Sequence, residues 1–468
     1  MGLSEGGGTV QISYRRQGNP VIWLPDNHHL TSAEILLVEK RNLIADEKLR
    51  IAMICAHSCP VGKLGAKDTG GMSVYVREIA RELGKAGHSV DVYTRVHDPR
   101  DSQIIELGRN ARLIHLKAGE NGEMHKLDVY PHLPEFTREL ESFRKQNRLR
   151  YDLIYSHYWL SVWVGRRLQK KWDVPQVAMF HTLGAVKNAI GIGEGEPQLR
   201  VETERRLVNN CHRIIVATEK EKKDIVLYYD ASPQTISVIP CGVNRELFRP
   251  ADREQAKQQL GINGERKNIL FVGRIEPLKG IDKLLMAVAR LKDKRGIRLL
   301  IIGGDENSQH EMARLKRLSG ELRMQESVSF LGLVKQDRLP LFYNAADACV
   351  IPSYYESFGL VALESLACGT PVVTTRVGGA ESVVRQVEVG YVVEDNTPRR
   401  LAEKIELLLS RPGNNAGSVK LMRTVTAEFS WSVIAAALVR EYRSVLADYF
   451  ARKTSPPPSR TRDCVTTL

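Results

Sequence analysis

The sequence lacks the features that would place the chain in a membrane, in a secretory pathway or among disulfide-stabilised proteins. No stretch reaches the roughly 18 consecutive apolar residues that a membrane-spanning helix needs. The opening residues, MGLSEGGGTVQISYRRQG, contain no continuous apolar core of a secretory signal. Seven cysteines scattered over 468 residues do not form a disulfide framework. We therefore expect a cytoplasmic protein without an integral membrane segment.

Motifs for metals are also missing. The chain has no CxxC pair and no His/Cys spacing typical of zinc, and no Asp-x-Asp dyad follows a predicted strand. The glycine-containing loop at 65–76 is neither a GxGxxG fingerprint nor a P-loop. The sequence therefore predicts no metal ion and no tightly bound cofactor.

The charge is unbalanced, with 68 Lys and Arg against 55 Asp and Glu, a net charge of +13. Such a balance favours an anionic partner, although it is equally typical of a solvated basic surface. The basic clusters at 166–171 and 220–223 read as exposed helix faces. Because no RNA-binding or helix-turn-helix signature accompanies them, we expect no nucleic-acid partner.

Strand-like runs alternate with helical patterns in two series, which is typical of parallel sheets covered by helices on both faces. The first series comprises 49–57, 89–95, 111–116, 151–158, 175–182, 212–218 and 236–242, and the second comprises 268–274, 297–304, 327–332, 348–353, 370–375 and 390–394. A chain of this length is also too long for one ordinary core. The sequence predicts an α/β fold with two Rossmann-like domains facing an interdomain cleft.

The predicted domain boundaries follow changes in composition. Residues 1–47 are poorly patterned and form an extension, 48–244 form the N-terminal domain, and 245–430 form the C-terminal domain. Residues 431–452 read as an amphipathic C-terminal helix that crosses back to the N-terminal domain. The Pro- and Ser-rich tail 453–468 is expected to be disordered.

Ligands of open α/β sheets bind outside the carboxyl ends of the strands, so the loops there carry the candidate residues. Gly70 and Gly71 directly precede a helical segment after the first strand. Adjacent glycines permit close approach of a ligand, and a helix N-terminus offers N–H groups to an anion. The alternative is that the two glycines only form a turn.

A pair of cations follows the first strand of the second series. Arg274 ends that strand and Lys279 comes five residues later. Two cations at this position can neutralise a diphosphate. The alternative is a solvated pair on the surface.

Two glutamates bracket the start of an apolar helix in SYYESFGLVALESLACGTPVV. Glu356 precedes the helix, whose predicted N-cap is Ser357, and Glu364 lies inside its apolar run. An unpartnered carboxylate there costs several kcal/mol, so it needs a partner such as vicinal sugar hydroxyls, an internal Arg or a wet edge of the helix. The N–H groups at the helix start can meet a phosphate, and they belong to Phe358, Gly359 and Leu360.

Two histidines stand at predicted strand ends in the N-terminal domain. His157 lies in SHYWLS, and His181 lies in MFHTLGAVK together with Thr182 and Lys187. A single histidine is more often structural than functional. Two at the same sheet edge favour a site.

Together, E-x7-E from 356 to 364, FVGR-x4-K before it and the GG-helix loop resemble the retaining GT-B glycosyltransferases of family 4. The resemblance runs from about residue 49 to about residue 450. Within that family, SHYWLS and HTLGAVKN look most similar to the enzymes that glycosylate D-inositol 3-phosphate and to sucrose-phosphate-synthase-like enzymes. The motifs are more specific for the family than for the substrate.

The resemblance implies a donor site for a nucleotide sugar, expected to be UDP-linked, in the C-terminal domain. Arg274 and Lys279 would hold the diphosphate, Glu364 the ribose hydroxyls and Glu356 the transferred hexose. The remaining implied donor residues are Gly70, Gly71, Phe358, Gly359 and Leu360. His181 would lie beside the sugar at the point of transfer and is assigned, with Arg274, Lys279 and Glu356, to catalysis.

The same resemblance implies a small, phosphorylated or anionic sugar or polyol as acceptor in the N-terminal domain. Thr182 and Arg200 match residues that bind the acceptor phosphate, and Ser73 stands where the inositol-phosphate branch has asparagine. His157 and Lys187 complete the predicted acceptor set. Two alternatives remain open at this point, a non-catalytic nucleotide-sugar-binding or regulatory protein on the same fold and a nucleotide-sugar epimerase. A homo-oligomer is compatible with the sequence.

Overall fold

A computed structural model describes residues 47–62, 70–120, 122, 124–262, 264–411 and 416–454 of the chain. The predicted extension 1–47, except for its last residue, lies outside the described residues, as does the predicted tail from residue 455 onward. The two α/β domains with their parallel sheets confirm the predicted fold class.

The N-terminal half of the described chain holds eight strands and six helices. The strands are β1 Arg50–Ile54, β2 Ser89–Arg95, β3 Ile104–Gly108, β4 Ala111–Leu116, β5 Leu153–His157, β6 Gln176–Met179, β7 Arg213–Val216 and β8 Ile236–Val238. The helices are α1 Gly71–Lys85, α2 Leu133–Gln146, α3 Tyr158–Trp172, α4 Gly184–Ile190, α5 Gln198–Val208 and α6 Glu219–Tyr229.

The C-terminal half follows the same alternation. Its strands are β9 Lys267–Val272, β10 Ile297–Ile302, β11 Val328–Gly332, β12 Ala348–Ile351, β13 Val372–Thr375 and β14 Gly390–Val393. Its helices are α7 Arg253–Gln259, α8 Ile281–Val288, α9 Gln309–Glu321, α10 Leu339–Ala345, α11 Leu360–Ala367, α12 Ala380–Val383, α13 Pro398–Leu409, α14 Ala416–Val425 and α15 Trp431–Thr454.

Each sheet changes direction at one point in its strand order. The eight-stranded sheet has the order β3-β4-β2-β1-β5-β6-β7-β8, and the six-stranded sheet has the order β11-β10-β9-β12-β13-β14. The chain winds outward from β1 and then returns to its other side with β5, and it repeats this with β9 and β12. A crevice opens at the carboxyl ends of such strand pairs, so the topology itself creates a binding site in each domain.

One strand was not predicted. β3, Ile104–Gly108, pairs antiparallel with β4 at the edge of the first sheet. Only one of the five residues in its sequence, IIELG, is buried. Such a short edge strand has neither the apolar run of a central parallel strand nor a crossover helix to mark it.

The cores of the two domains are joined through the last helix. One apolar cluster contains side chains of both sheets together with those of α11 and α15. α15 reaches back to the first sheet, where Arg213 pairs with Glu441 at 2.8 Å and the rings of Tyr155 and Tyr442 lie 5.5 Å apart. The predicted crossing of the C-terminal helix is therefore confirmed, and the helix fixes one domain against the other.

None of the helices in the described part of the chain is long and apolar enough to cross a membrane.

Candidate functional site

A cavity of about 340 Å³ lies between the carboxyl ends of the two sheets. Its walls come from the loops after β1, β5, β6 and β8 on one side and after β9, β10, β11 and β12 on the other. These include both pairs of strands at which the sheets change direction. The cavity therefore occupies the place where α/β proteins bind ligands.

Most of the residues singled out from the sequence line this one cavity. They are Gly70, Gly71, His181, Thr182, Lys187, Arg200, Arg274, Lys279, Glu356, Phe358, Gly359, Leu360 and Glu364. Residues that are more than 290 positions apart in the chain are thus brought to a common surface. Ser73 and His157 are different, since both are fully buried behind the wall.

The loop after β9 carries two cations that are each held by a carboxylate. Nζ of Lys279 lies 2.6 Å from Oε1 of Glu356, which also accepts a hydrogen bond of 2.7 Å from the hydroxyl of Ser353. A guanidinium nitrogen of Arg274 lies 2.9 Å from Oε1 of Glu276. Because an ammonium group has three protons, Lys279 keeps donors for a ligand while Glu356 fixes its position.

Burial alone would raise the pKa of Glu276, but nearby cations lower it below its usual value. The strongest effects come from Arg274 and Lys279, followed by Lys187 and Lys126 from the opposite domain. Four positive side chains thus act on one point of the cavity. This is the electrostatic environment that a multiply charged anion would enter.

The backbone around Lys279 leaves it little freedom. Pro277–Lys279 form a 3₁₀ turn, and Gly280 follows in the left-handed region with φ +62°. A Cβ at Gly280 would lie 2.2 Å from the carbonyl oxygen of Pro352, so only glycine fits. Lys279 therefore lies in the turn just before α8, and the loop is packed against the strand end that leads to Glu356.

Helix α11 begins later than the sequence suggested. Its N-cap is Gly359, with φ +97°, and not Ser357. The side chain of Phe358 is buried against Phe429, with ring centroids 5.9 Å apart, and its carbonyl accepts a hydrogen bond of 2.7 Å from the N–H of Gly379. This anchoring leaves Ser357 outside the helix, and a left-handed glycine makes the sharp turn into it.

Glu364 is buried inside α11 and is still a wall residue of the cavity. One carboxylate oxygen accepts a hydrogen bond of 2.8 Å from the hydroxyl of Tyr343. Burial raises the pKa of Glu364 to about 7, and hydrogen bonds from Tyr343 and Gln336 limit that rise. The carboxylate therefore has neutral hydrogen-bond partners, a weaker favourable effect from the charge of Arg77 and a face toward the cavity.

Two helix N-termini meet at the cavity. α1 begins at Gly71 after the N-cap Gly70, and α11 begins at Leu360 after the N-cap Gly359. A Cβ at Gly71 would lie 3.5 Å from Cδ1 of Leu360, so the two helix starts are close together. Neither N-cap glycine has a side chain that could accept from the first turn, so N–H groups at both helix starts can be offered to a ligand or water. At α11 the N–H of Ala362 already donates a hydrogen bond of 3.0 Å to the carbonyl of Gly359.

His181 is held in an unusual backbone conformation. Its φ is +61°, and the N–H of Thr182 donates a hydrogen bond of 2.7 Å to the carbonyl of Phe180 across it. Such a tight γ-turn is strained for a non-glycine residue and is found mostly at functional sites. Burial lowers the pKa of His181 to about 3, so its imidazole is neutral at physiological pH.

Ser73 and His157 contact other side chains rather than the cavity. The hydroxyl of Ser73 lies 2.8 Å from that of Ser58. Nδ1 of His157 lies 3.0 Å from Nε2 of His181. Neither Ser73 nor His157 therefore has a surface that an acceptor could touch. His157 does, however, contact His181, which lines the cavity.

The N-terminal side of the cavity is built on a network of buried charges. The guanidinium of Arg200 lies 2.8 Å from Glu196 and 2.7 Å from Glu204, and it donates hydrogen bonds to both oxygens of Thr182. Glu196 also pairs with Lys187 and, at 3.5 Å, with Lys126. Burial would raise the pKa of Glu196, but Arg200, Lys126 and Lys187 hold it at about 2.

Some residues of the wall were missed by sequence reasoning. His57 follows β1 and packs on Tyr158, which follows β5, with ring centroids 4.3 Å apart. The guanidinium of Arg200 lies over the ring of Tyr158, 4.8 Å from its centroid. His157 and His181 were singled out because they stand at the carboxyl ends of predicted strands, and His57 stands at such an end too. Lys126 comes from an irregular loop, where no sequence pattern marks it.

Among the described residues, no group of three or more His, Cys, Asp or Glu side chains is arranged to hold a metal ion.

Comparisons with known proteins agree with this geometry. Residues 69–247 match the family model described as Glycosyltransferase Family 4, and residues 252–420 match the model described as Glycosyl transferases group 1. A D-inositol 3-phosphate glycosyltransferase of Corynebacterium glutamicum is 37% identical over 86% of this chain and 98% of its own length. The chain belongs to glycosyltransferase family 4.

Other members of the family are similarly close. A D-inositol 3-phosphate glycosyltransferase of Acidothermus cellulolyticus is 39% identical over 88% of this chain and 94% of its own length. The solved structure of a sucrose-phosphate synthase from Thermosynechococcus elongatus has 32% identity and a TM-score of 0.78, and it covers 86% of this chain and 100% of its own. The protein is thus a hexosyltransferase with the GT-B fold, and the epimerase alternative is not supported.

Proposed function

We propose that the protein transfers a hexose, with retention of anomeric configuration, from a UDP-linked sugar to a small phosphorylated sugar or polyol. The observation that carries this proposal is that one cavity is lined by cations from both domains together with the carboxylates of Glu276, Glu356 and Glu364. Arg274 and Lys279 approach from the C-terminal domain, and Lys126, Lys187 and Arg200 approach from the N-terminal domain. A donor diphosphate and an acceptor phosphate that meet in one cavity would fit this set of cations.

The donor end matches the chemistry of a nucleoside diphosphate sugar. Cations and helix N-termini suit the diphosphate. A carboxylate suits a vicinal diol because its oxygens accept from two adjacent hydroxyls, and Glu364 offers this for the ribose. Glu356, which is held by Ser353 and Lys279, would accept hydrogen bonds from hydroxyls of the transferred hexose.

The proposed reaction depends on where charge develops. Breaking the anomeric C–O bond makes the sugar more positive and the diphosphate more negative. Fixed positive groups at the diphosphate therefore stabilise the transition state more than the ground state. The acceptor hydroxyl attacks from the face that the diphosphate leaves, the new C–O bond replaces the old one, and a departing phosphate oxygen takes the hydroxyl proton.

His181 suits a place beside the sugar because it is neutral. An imidazolium there would repel the positive charge that the sugar gains in the transition state. A neutral imidazole can donate a hydrogen bond to a sugar hydroxyl without that penalty. Burial, which lowers the pKa of His181 to about 3, keeps the ring in the useful form.

The acceptor end suits a phosphate monoester. Arg200 and the hydroxyl of Thr182 are held together by a hydrogen bond of 3.1 Å, and Lys126 and Lys187 are both wall residues. The two kinds of relative described above carry a phosphorylated polyol or sugar in their names, D-inositol 3-phosphate and sucrose phosphate. Inositol 3-phosphate and hexose phosphates are therefore the acceptors to test.

We also propose that the reaction needs no divalent metal, because Arg274 and Lys279 supply positive charge at the leaving diphosphate. Cytoplasmic nucleotide sugars and sugar phosphates would be the substrates. Adding EDTA to metal-free buffer should leave turnover within about twofold. A loss of turnover that Mg²⁺ or Mn²⁺ restores would contradict this part of the proposal.

The test is a matrix of nucleotide sugars against phosphorylated and unphosphorylated acceptors. Nucleotide release gives the rate, mass spectrometry identifies the product, and NMR of the anomeric proton gives its configuration. We expect product only with a nucleotide sugar and a phosphorylated acceptor together, with the α-configuration of the donor retained. Tight nucleotide-sugar binding without transfer to any acceptor would favour a non-catalytic binding protein.

A further inference from the structure

The nitrogen atoms of two buried histidines face each other behind the cavity wall. Nδ1 of His157, at the end of β5, lies 3.0 Å from Nε2 of His181. Both rings are buried, and only that of His181 contributes to the cavity. We propose that His157 is a positioning residue that fixes the tautomer of His181, so that Nδ1 of His181 carries the proton offered to the transferred sugar.

The hydrogen bond between the rings needs one donor and one acceptor. Burial lowers the pKa of both residues, that of His181 to about 3 and that of His157 well below its usual value. Each neutral imidazole has one N–H and one bare nitrogen. Either His157 donates from Nδ1, or His181 donates from Nε2.

The surroundings of His157 favour the first arrangement. Its other nitrogen, Nε2, is buried and has no hydrogen-bond partner in the described part of the chain. If His181 were the donor, the proton of His157 would lie on Nε2 as a buried unpaired N–H. Orphaned buried donors are rarer in proteins than orphaned acceptors, because an unpaired buried N–H loses its hydrogen bond to water. His157 therefore donates from Nδ1, and its bare nitrogen is the one left without a partner.

The consequence for His181 follows directly. Because Nε2 accepts the hydrogen bond from His157, the proton of His181 is on Nδ1. The γ-turn at His181 fixes its backbone, and Tyr75 packs edge-on against both rings, with centroids 5.4 Å from His181 and 5.7 Å from His157. Ring orientation and tautomer are thus both set before substrate binds, as second-layer partners do for metal-binding histidines.

The aromatic packing extends this support to the rest of the fold. The hydroxyl of Tyr75 lies 2.8 Å from that of Tyr155, whose ring is 4.2 Å from His157. Trp431, the first residue of α15, lies edge-on to Tyr75 with centroids 5.6 Å apart. The histidine pair is therefore enclosed on the side away from the cavity, where water could otherwise exchange the tautomers.

The direct test is ¹⁵N NMR of histidine-labelled full-length protein, in which protonated and bare ring nitrogens have well-separated shifts. The His181→Gln variant identifies the resonances of residue 181. We expect Nδ1 of His181 to be protonated and Nε2 to be bare in the wild type at neutral pH. A proton on Nε2 of His181 would overturn the proposal, whatever the activity.

Two substitutions separate positioning from packing. His157→Asn places an amide N–H near the former Nδ1, whereas His157→Gln places one near the former Nε2. We expect kcat to fall roughly 10- to 100-fold in His157→Gln with donor KM changed less than about threefold, and His157→Asn to recover most of kcat. Equal losses in both variants, or no loss in His157→Gln, would contradict the assignment.

The matched control is His88, another buried histidine, which accepts a hydrogen bond of 3.0 Å from the N–H of Leu49 away from the cavity. His88→Gln should lower stability without changing kcat. This inference rests on the proposed function only for its kinetic arm. If the wild type transferred no sugar at all, the proposed function would fail, while the NMR result would still decide the tautomer.

Discussion

At the scale of single residues, the proposed role of Lys279 rests on the position of its ammonium group. Its ammonium group is fixed by Glu356 at 2.6 Å and is among the cations that act on Glu276. We predict that Lys279→Ala lowers kcat by about 10²–10³-fold, the usual cost of losing one preorganised charge-stabilising donor. The assay is nucleotide release at saturating donor and acceptor.

The control for Lys279 is Lys283, four residues later, which pairs with Asp282 at 3.6 Å outside the cavity wall. Lys283→Ala should leave kcat within about twofold. A near-normal turnover number for Lys279→Ala, with folding intact by circular dichroism, would show that this lysine does not act on the leaving group.

The buried carboxylate of Glu364 should lower the free energy of unfolding while it strengthens donor binding. Its folded-state pKa of about 7 is above the ordinary value of 4.5, so the folded state binds more protons between those values. The free energy of unfolding therefore falls as pH rises from about 4.5 to about 7 and stays low above that. We predict that at pH 8 the free energy of unfolding of Glu364→Gln is about 1–3 kcal/mol higher than that of the wild type. At pH 5 this difference should be smaller.

The same variant should bind the donor more weakly, because an amide offers one acceptor oxygen to the ribose where a carboxylate offers two. Urea titrations at the two pH values and donor KM measure the two effects. The exposed Glu403, which pairs with Arg399 in α13, provides Glu403→Gln as a control with neither effect. If the difference in the free energy of unfolding between Glu364→Gln and the wild type were the same at pH 8 and pH 5, the raised pKa would be contradicted.

At the scale of elements, the loop between β9 and α8 depends on Gly280. The effect of the close contact at Gly280 can be separated from the effect of its positive φ by comparison with a second glycine that has nearly the same φ. Gly280 has φ +62° and no room for a Cβ, whereas Gly261 has φ +64° and nothing within 4 Å. We predict that Gly280→Ala lowers kcat at least tenfold by displacing Lys279, while Gly261→Ala costs only about 1 kcal/mol of stability.

Both variants are compared by nucleotide release and by thermal unfolding. Equal effects of Gly280→Ala and Gly261→Ala on kcat would mean that the close contact between Gly280 and Pro352 does not hold the loop that carries Lys279 in place.

The sequence predicted the central parallel strands well because apolar runs buried on both faces leave a strong pattern. β2 and β4 have the predicted bounds, 89–95 and 111–116. Edge strand β3 left no such pattern, and the start of α11 depends on tertiary anchoring of Phe358 that no local rule includes. Most site residues were predictable because parallel strands end at one edge of a sheet. The sequence could not predict which of the two strand-end histidines, His157 or His181, faces the cavity. That depends on how their rings pack among Tyr75, Tyr155 and Trp431.

At the scale of the whole molecule, α15 joins the two domains at Trp431. The indole packs against Tyr75, and a Cβ at Gly242 would lie 2.6 Å from it. We predict that Trp431→Ala lowers stability by about 3–5 kcal/mol, as expected for a large buried aromatic side chain. The midpoint of urea unfolding followed by fluorescence and circular dichroism measures the loss.

Val433, two residues further along α15, is 47% exposed and is the control. Val433→Ala should change stability by less than about 0.5 kcal/mol. If Trp431→Ala were equally mild, α15 would not be the element that holds the domains together.

The central claim is that a sugar nucleotide occupies the cavity between the two sheets, with its diphosphate on Arg274 and Lys279. The crystal structure of the protein with UDP tests this most directly. The account predicts diphosphate oxygens within hydrogen-bonding distance of both cations and ribose hydroxyls on the carboxylate of Glu364. UDP bound outside this cavity, or bound inside it with the diphosphate remote from Lys279, would contradict the account.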